Sequence, residues 1–260
     1  HYDWDDWEEM IYYDSATPAL KAVGFFLKTL EKTIPTVVDT ISVASNRLQD
    51  LCLKLGVSKE RIFLVPVGVD LEKFNPLVSG ERIKRMYNIF NPLVLYLGQL
   101  HGAQYVEMFI KATRFFINNG IKVDFMIVGD GGKAVELKNL VKRLRLEKKI
   151  IFTGAVEHEL VPEYIAASDI AVACFEDNEV TKCKSPLKIV EYMASGKAIV
   201  ASDVGEIRYM LDGNGILTKP SDIESLVKAI KTLLEKEELR KTLGVKARAT
   251  AEKRLSWHLR

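Results

Sequence analysis

Apolar residues recur along this chain with two periods, and the two alternate. From about Pro92 to Glu235, short runs that are apolar throughout are each followed by a longer stretch with apolar residues every three to four positions. The runs are LVLYLG (from Leu93), VDFMIVG (from Val123), KIIFTG (from Lys149), DIAVACF (from Asp169), KAIVAS (from Lys197) and GILT (from Gly215). The stretches YVEMFIKATRFFINNG, KAVELKNLVKRLRL, LVPEYIAAS, SPLKIVEYMAS and EIRYML read as helices, and Ser221 to Leu255 reads as helical throughout. Strands apolar on both faces need cover on both faces, so the alternation predicts a parallel sheet between helical layers. Right-handed crossovers then make it a doubly wound, Rossmann-like α/β domain.

Residues 1–72 are patterned differently. HYDWDDWEEMIYYDS is acidic and aromatic, PALKAVGFFLKTLEKTI is helical, TISVAS is a strand, NRLQDLCLKLG a helix, and RIFLVPVGVD runs from strand into loop. This reads as a partial, mainly helical N-terminal segment, too short for a second complete Rossmann domain. Residues 73–91, with Pro76, Gly80 and the following Pro92, read as a connection. Residues 92–236 form the Rossmann-like domain, and 237–260 a last helix expected to pack back toward the N-terminal part. The chain opens on His1 and stops on RLSWHLR without a breaker, so it reads as a piece of a longer protein lacking most of its first domain.

Composition narrows the partners. With 48% apolar and 28% charged residues the chain can bury a core, and 37 Lys and Arg against 35 Asp and Glu leave a net charge of +2. That balance gives no footprint for nucleic acid. Three cysteines, Cys52, Cys174 and Cys183, fit no zinc spacing, and so sparse a set suggests a reducing compartment. No apolar run reaches the length of a membrane span and no signal peptide opens the chain. The expected setting is the cytoplasm, with peripheral contact at the inner membrane face left open.

In open parallel sheets ligands bind outside the carboxyl ends of the strands. The loops there are GQLHGAQ, GDGGK, GAVEH, FEDNEVTKCKSP and SDVGE. GDGG, from Gly129 to Gly132, suits close backbone approach to a phosphate and equally suits a tight strand-to-helix turn. The dinucleotide pattern Gly-x-Gly-x-x-Gly is absent after every strand, which argues against NAD. In SPLKIVEYMASGKAIVAS, Ser185 and Pro186 read as N-cap and first helical residue, leaving the amides of Leu187 and Lys188 free to meet an anion. Leu187, Val190, Glu191 and Ala194 share one helical face, so Glu191 stands in the middle of an apolar stripe, with Lys188 and Tyr192 pointing elsewhere. A buried carboxylate needs partners. They are either neighbouring backbone or a Lys, or a ligand with vicinal hydroxyls such as a ribose.

Taken in order, several segments resemble the retaining glycosyltransferases of family 4, which have the two-domain GT-B architecture. FLVPVGVDLEKFNP is similar to that family's hinge segment, with Val67 in place of Asn. LYLGQL followed by FIKA is similar to the strand, Gly-Arg-Leu loop and helix that open its donor domain. MIVGDGG, IIFTGAV, VPEYIAASDIAVA, SPLKIVEYMASGKAIVAS and DVGEIRYML follow in place, so the likeness covers about Thr40 to Trp257. The resemblance implies a nucleoside-diphosphate sugar as donor, a glycan or lipid-linked acceptor, retention, and no metal or other cofactor. It assigns Glu191 to the ribose hydroxyls, the Leu187 and Lys188 amides and Ser185 to the diphosphate side, and Gly154 to Val156 to the edge of the base. Gly98, Gln99, Gln104 and Gly129 complete the donor site.

Departures from the family pattern matter as much. Its first motif Glu, eight residues before Glu191, falls on Cys183, and a thiol is no substitute for a carboxylate acceptor. Two cations that usually face the diphosphate read as Gln99 and Gln104. Lys188, His101 and Lys184 are the candidates to replace them, and Glu176, Asp177 or Glu179 to stand in for the missing acid. Asp3, Asp6 and Trp7 resemble a stretch lining the acceptor side; alternatively Trp4 and Trp7 form the buried face of one helical turn. The catalytic candidates are therefore Lys188 and the Cys183 position. Drift to a protein that binds nucleotide or glycan without transfer is the alternative.

Overall fold

The computed structural model describes residues 1–10, 21–101 and 105–257. They divide into two units. The first comprises His1–Val67, Asp177–Pro186 and Val204–Glu206, and the second comprises Gly68–Glu176, Leu187–Asp203 and Ile207–Arg260.

The first unit holds a parallel sheet of three short strands, β1 (Tyr2–Trp4), β2 (Ile41–Val43) and β3 (Ile62–Leu64), in the order β1-β2-β3. Tyr2 aligns with Ile41, and Ile41 with Ile62. Parallel neighbours need crossovers, and the helices Lys21–Val37 and Asn46–Lys54 lie in those connections. Strand β1 is a departure from the expected mainly helical segment: three residues inside an acidic, aromatic run are too few to set up a period. Trp4 therefore points into the core from a strand while Trp7 lies in the loop beyond, so the two do not form one helical turn. The core gathers Trp4, Ile41, Val43, Leu48, Cys52 and Ile62, and Cys183 joins it from the short helix Glu179–Cys183. That helix starts in a capping box, Asn178 accepting from the Thr181 amide at 2.9 Å while Thr181 Oγ1 accepts from the Asn178 amide at 3.2 Å.

The six apolar runs of the second unit become six parallel strands: β4 (Leu93–Leu97), β5 (Asp124–Val128), β6 (Ile150–Gly154), β7 (Ile170–Ala173), β8 (Ala198–Ser202) and β9 (Ile216–Thr218). Their spatial order is β6-β5-β4-β7-β8-β9. The order reverses between β4 and β7, so the carboxyl ends of those two strands mark the crevice where such sheets take ligands. Val94, Tyr96, Phe125, Ile127, Ile170, Val172, Ala198 and Val200 pack against the helices Val106–Asn118, Ala134–Arg143 and Ile223–Glu235. Strand positions of the other parity, such as Leu95, Met126, Ala171 and Ile199, are equally buried, which requires cover on the opposite face.

The long C-terminal helical stretch is two helices, Ile223–Glu235 and Glu237–Arg254, broken at Lys236. The first packs on Val106–Asn118 and the second on Leu187–Ala194, so one straight rod cannot serve both. Arg240 Nη1 donates to the Leu233 carbonyl at 2.8 Å, satisfying one acceptor at the break. Close approach of the last helix to the Leu187–Ala194 turn depends on Gly244, where a Cβ would run into the Gly196 carbonyl.

Candidate functional site

Helix Leu187–Ala194 is less amphipathic than its sequence suggests. Leu187 is 44% exposed, whereas every residue from Lys188 to Ala194 is buried, including Lys188 and Tyr192, which the stripe placed elsewhere. The cause is cover from two sides: Lys188 and Tyr192 turn to the ends of β4 and β7, and the last helix packs on this helix as well. Ser185 lies two residues before the helix begins, and its hydroxyl accepts from the Val67 amide at 3.0 Å.

Two of the three buried polar side chains on the helix, Tyr192 and Lys188, reach the β4–β7 switch point. The Tyr192 hydroxyl accepts from the Leu97 amide at 3.0 Å and donates to the Val172 carbonyl at 3.5 Å, bridging the strands as their ladder ends. Lys188 Nζ donates to Tyr96 Oη at 3.3 Å and lies 4.4 Å from the Tyr96 ring centroid and 5.4 Å from that of Phe175. Cation–π contact with two rings is a means of keeping an ammonium charged while it is withdrawn from water. Burial pushes the Tyr96 hydroxyl well above its ordinary range, so it stays protonated. A further acid stands at the same edge: Glu107 Oε1 is 3.6 Å from Lys133 Nζ, and its buried Oε2 has no hydrogen-bond partner among the described residues. Sequence reasoning passed over Tyr192, Tyr96 and Glu107, because a Tyr in an apolar run and a Glu in a first helical turn both look ordinary.

Glu191 is buried, and one described side chain bonds it: His158 Nε2 lies 3.4 Å from Oε1. Among the described residues no hydrogen bond reaches Oε2. Burial raises the pKa of this carboxyl, while His158, then Lys188 and Lys73, pull it back down. Among the described residues neither neighbouring backbone nor a Lys, two of the partners raised from the sequence, makes a hydrogen bond to the Glu191 carboxylate. His158 in the loop after β6 was not singled out, because a His in a loop carries no periodic signal.

The glycines at the strand ends pack on one another. Gly98 N donates to the Val128 carbonyl at 2.9 Å, and Gly129 N to the Gly154 carbonyl at 3.0 Å. Gly129 has φ +136°, and a Cβ there would run into the Gly98 carbonyl, so this glycine serves loop-on-loop packing. Gly154, at φ +75°, faces open space, and Val156 beyond it is half-buried. Gln99 and His101 are exposed, and Gln104 lies outside the described residues.

Other candidates sit in the first unit. Cys183 is fully buried in its core, and desolvation pushes the thiol to about 12, so it is neither ionised nor in contact with water. Lys184 Nζ pairs with Asp6 at 3.0 Å, Asp3 bonds the Ser42 hydroxyl, and Asp177 lies 3.2 Å from Lys182. Glu179 pairs with Arg47 and Lys182, which hold its carboxyl below the usual range. Lys184, Asp177 and Glu179 are thus engaged within that unit. Among the described residues no group of three or more His, Cys, Asp or Glu is placed to hold a metal ion, and no helix is long and apolar enough to cross a membrane.

Residues 91–236 match the family described as glycosyl transferases group 1. An uncharacterized glycosyltransferase of Methanocaldococcus jannaschii is 29% identical over 238 residues, covering 90% of this chain and 59% of its own length. The UDP-Gal:alpha-D-GlcNAc-diphosphoundecaprenol alpha-1,3-galactosyltransferase of Escherichia coli is 26% identical over 221 residues, 81% of this chain and 55% of its own. The chain thus spans little more than half the length of these curated relatives. Among solved structures, Anabaena HepE in complex with UDP and glucose superposes with a TM-score of 0.78 at 22% identity, over 98% of this chain and 67% of that one. That likeness is one of fold.

Proposed function

The chain belongs to the group 1 glycosyl transferase family, and from that premise we propose that it is the donor-binding part of a retaining glycosyltransferase. The donor is a nucleoside-diphosphate sugar, and the acceptor a hydroxyl of a glycan or lipid-linked glycan. One observation carries the reading: Glu191 is a buried carboxylate with an oxygen that no described residue bonds, on a helix that reaches the switch point of a doubly wound sheet. Two ribose hydroxyls donate to that carboxylate. Each charge-assisted bond contributes about 1.5–3 kcal/mol, enough to offset the cost of burying the acid.

The diphosphate meets the amides of Leu187 and Lys188 at the helix start, where free N–H groups favour an anion. Lys188 adds positive potential close by. In a site screened from water this steadies the charge that develops as the sugar–phosphate bond breaks, the part the family's two lost cations would have shared. Gly98, Gln99 and Gly129 line the phosphate side, with Gly154 and Val156 beside the base. Cys183 contributes packing only. No metal is needed, so activity survives treatment with EDTA. The setting is cytoplasmic, and the name of the Escherichia coli relative, which specifies a diphosphoundecaprenol-linked substrate, favours an acceptor at the inner membrane face.

Calorimetric titration with UDP, GDP and ADP tests the reading. At least one binds the parent chain, and Glu191→Ala weakens it about 30-fold or more. Failure of all three to bind, or an affinity untouched by the substitution, sinks the assignment of Glu191.

A further inference from the structure

We infer that Lys73 and His158 are positioning residues for Glu191: Lys73 fixes the His158 ring in the tautomer whose Nε2–H donates to one carboxylate oxygen, leaving the other to the ligand. The inference rests on the reading of Glu191 as the ribose-binding group, and concerns what orients that group and keeps it ionised.

Geometry sets the direction of each bond. Lys73 Nζ lies 2.8 Å from His158 Nδ1, and His158 Nε2 lies 3.4 Å from Glu191 Oε1. An ammonium can only donate, so Nδ1 must present its lone pair, and the ring proton of the neutral imidazole resides on Nε2. That proton points at Oε1. Lys73, His158 and Glu191 thus form a one-way chain from a half-buried cation to a buried anion. Without Lys73 the ring is free to carry its proton on Nδ1, and Nε2 then turns a lone pair toward the carboxylate.

Local structure holds the chain's outer end. Asp70 Oδ1 accepts from the Glu72 amide at 2.9 Å and the Lys73 amide at 3.0 Å, forming the turn that aims Lys73. The buried Phe74 ring packs on the His158 ring at 5.8 Å between centroids. Arg248 Nη1, from the last helix, donates to the Phe74 carbonyl at 2.8 Å and the Ala194 carbonyl at 2.7 Å. One guanidinium therefore ties the Lys73 turn to the end of the helix carrying Glu191. Sequence places these residues far apart, and only the fold makes them neighbours.

The charged groups around Glu191 act in one direction. Lys188 from its own helix, His158 from the loop after β6 and Lys73 from the turn all favour the carboxylate, against burial, which favours the acid. Glu159 Oε1, 3.8 Å from Lys73 Nζ, shares that ammonium on its outer side. Removing the His158 donor leaves burial less opposed, so Glu191 takes up its proton at higher pH. Binding that needs the carboxylate then fails at higher pH too.

The test uses the 260-residue chain and two independent measurements. Long-range 1H–15N NMR of His158 in the parent shows the Nε2–H tautomer, and Lys73→Met raises the Nδ1–H fraction. UDP titrations from pH 5.5 to 8.5 then compare His158→Phe, which keeps the ring on Phe74 but removes the donor, with His158→Gln, which restores an N–H. His158→Phe weakens UDP about 5–10-fold at neutral pH and moves the acid limb upward, and His158→Gln recovers most of both. His158 stands in an exposed loop, so neither variant threatens folding. An Nδ1–H parent, or a tautomer unchanged in Lys73→Met, overturns the role of Lys73. A His158→Phe variant matching the parent in affinity and pH midpoint, while Glu191→Gln weakens binding, overturns the role of His158. If Glu191→Gln also leaves UDP binding unchanged, the ribose reading has failed, and the tautomer measurement alone decides the relay.

Discussion

Four carboxylates are buried to the same degree among the described residues; Glu9 pairs with Lys28 at 3.4 Å, and the other three are held in two different ways. Glu31 and Glu206 of the first unit are 5% and 4% exposed, and Glu191 of the second is 4% exposed. Glu31 accepts from the Glu8 and Glu9 amides at 2.8 and 2.9 Å, and Glu206 from the Asn46 amide and side chain at 2.6 and 3.0 Å. Both carboxylate oxygens are engaged in each case. Glu191 has a single 3.4 Å bond from an exposed His and an oxygen that no described residue bonds. A buried acid with every oxygen occupied is a staple between chain segments. One with an oxygen that no described residue bonds, on a helix that reaches a sheet switch point, retains its capacity for a ligand. Burial alone does not separate the two; the count of donors together with the place in the fold does, since Glu9 also has one described partner but lies in the first unit.

If that distinction is sound, the substitutions that break it split into two classes. The largest effect falls on folding. Glu206→Ala strips the Asn46 amide and side chain of their charged acceptor at the start of the Asn46–Lys54 helix, costing about 2–4 kcal/mol of stability in urea unfolding. Below its transition the variant binds UDP as the parent does. Weakened binding by the folded variant would show that Glu206 is not merely a staple. Next comes Glu191→Gln, which reverses the pattern: UDP weakens by about 30-fold, about 2 kcal/mol, while stability holds or rises slightly because a buried charge is removed. A Gln variant that lost stability like Glu206→Ala would place Glu191 with the staples. A smaller effect is expected one residue further on. Tyr192→Phe deprives the Leu97 amide of its acceptor at the end of β4 and costs about 1 kcal/mol in stability.

How much of this contrast was readable beforehand depends on how local each signal is. The sheet, its helices and the odd acid in the Leu187–Ala194 stripe follow from periodicity within short windows, and the family likeness added the order of landmarks. Burial of Lys188 and Tyr192 was not readable, because the groups they meet, Tyr96 and Leu97 of β4, Val172 of β7 and Phe175, lie up to 95 residues away and no local pattern names them. Strand β1 was too short to show a period. His158, Lys73 and Arg248 were invisible for a different reason: each is a charged or polar residue in a region where such residues are ordinary, and only the fold brings them together. Cys183 shows the converse. Counting residues gave its place in the motif, whereas its surroundings are an apolar core.

The smallest effect discriminates most finely. Burial raises the pKa of Glu31, Glu191 and Glu206 alike above the ordinary 4.5 of a Glu. Above 4.5 and up to each folded value, the native state holds more protons than the unfolded chain, so stability falls as pH rises through that window and returns as pH is lowered to 4.5. Replacing any of the three by Gln removes its share of that slope. On the proposed reading UDP separates them: ribose hydroxyls donating to the Glu191 carboxylate favour its ionised form and lower its folded pKa toward that of the unfolded chain. Saturating UDP therefore flattens the Glu191 share, measured as the difference in slope between the parent and Glu191→Gln in urea titrations from pH 4.5 to 7.5. The Glu206 share, measured the same way with Glu206→Gln, is the same with and without the nucleotide. Equal responses of the two shares would mean that the free oxygen of Glu191 never meets the ligand, and the division between staple and binding acid would fall with it.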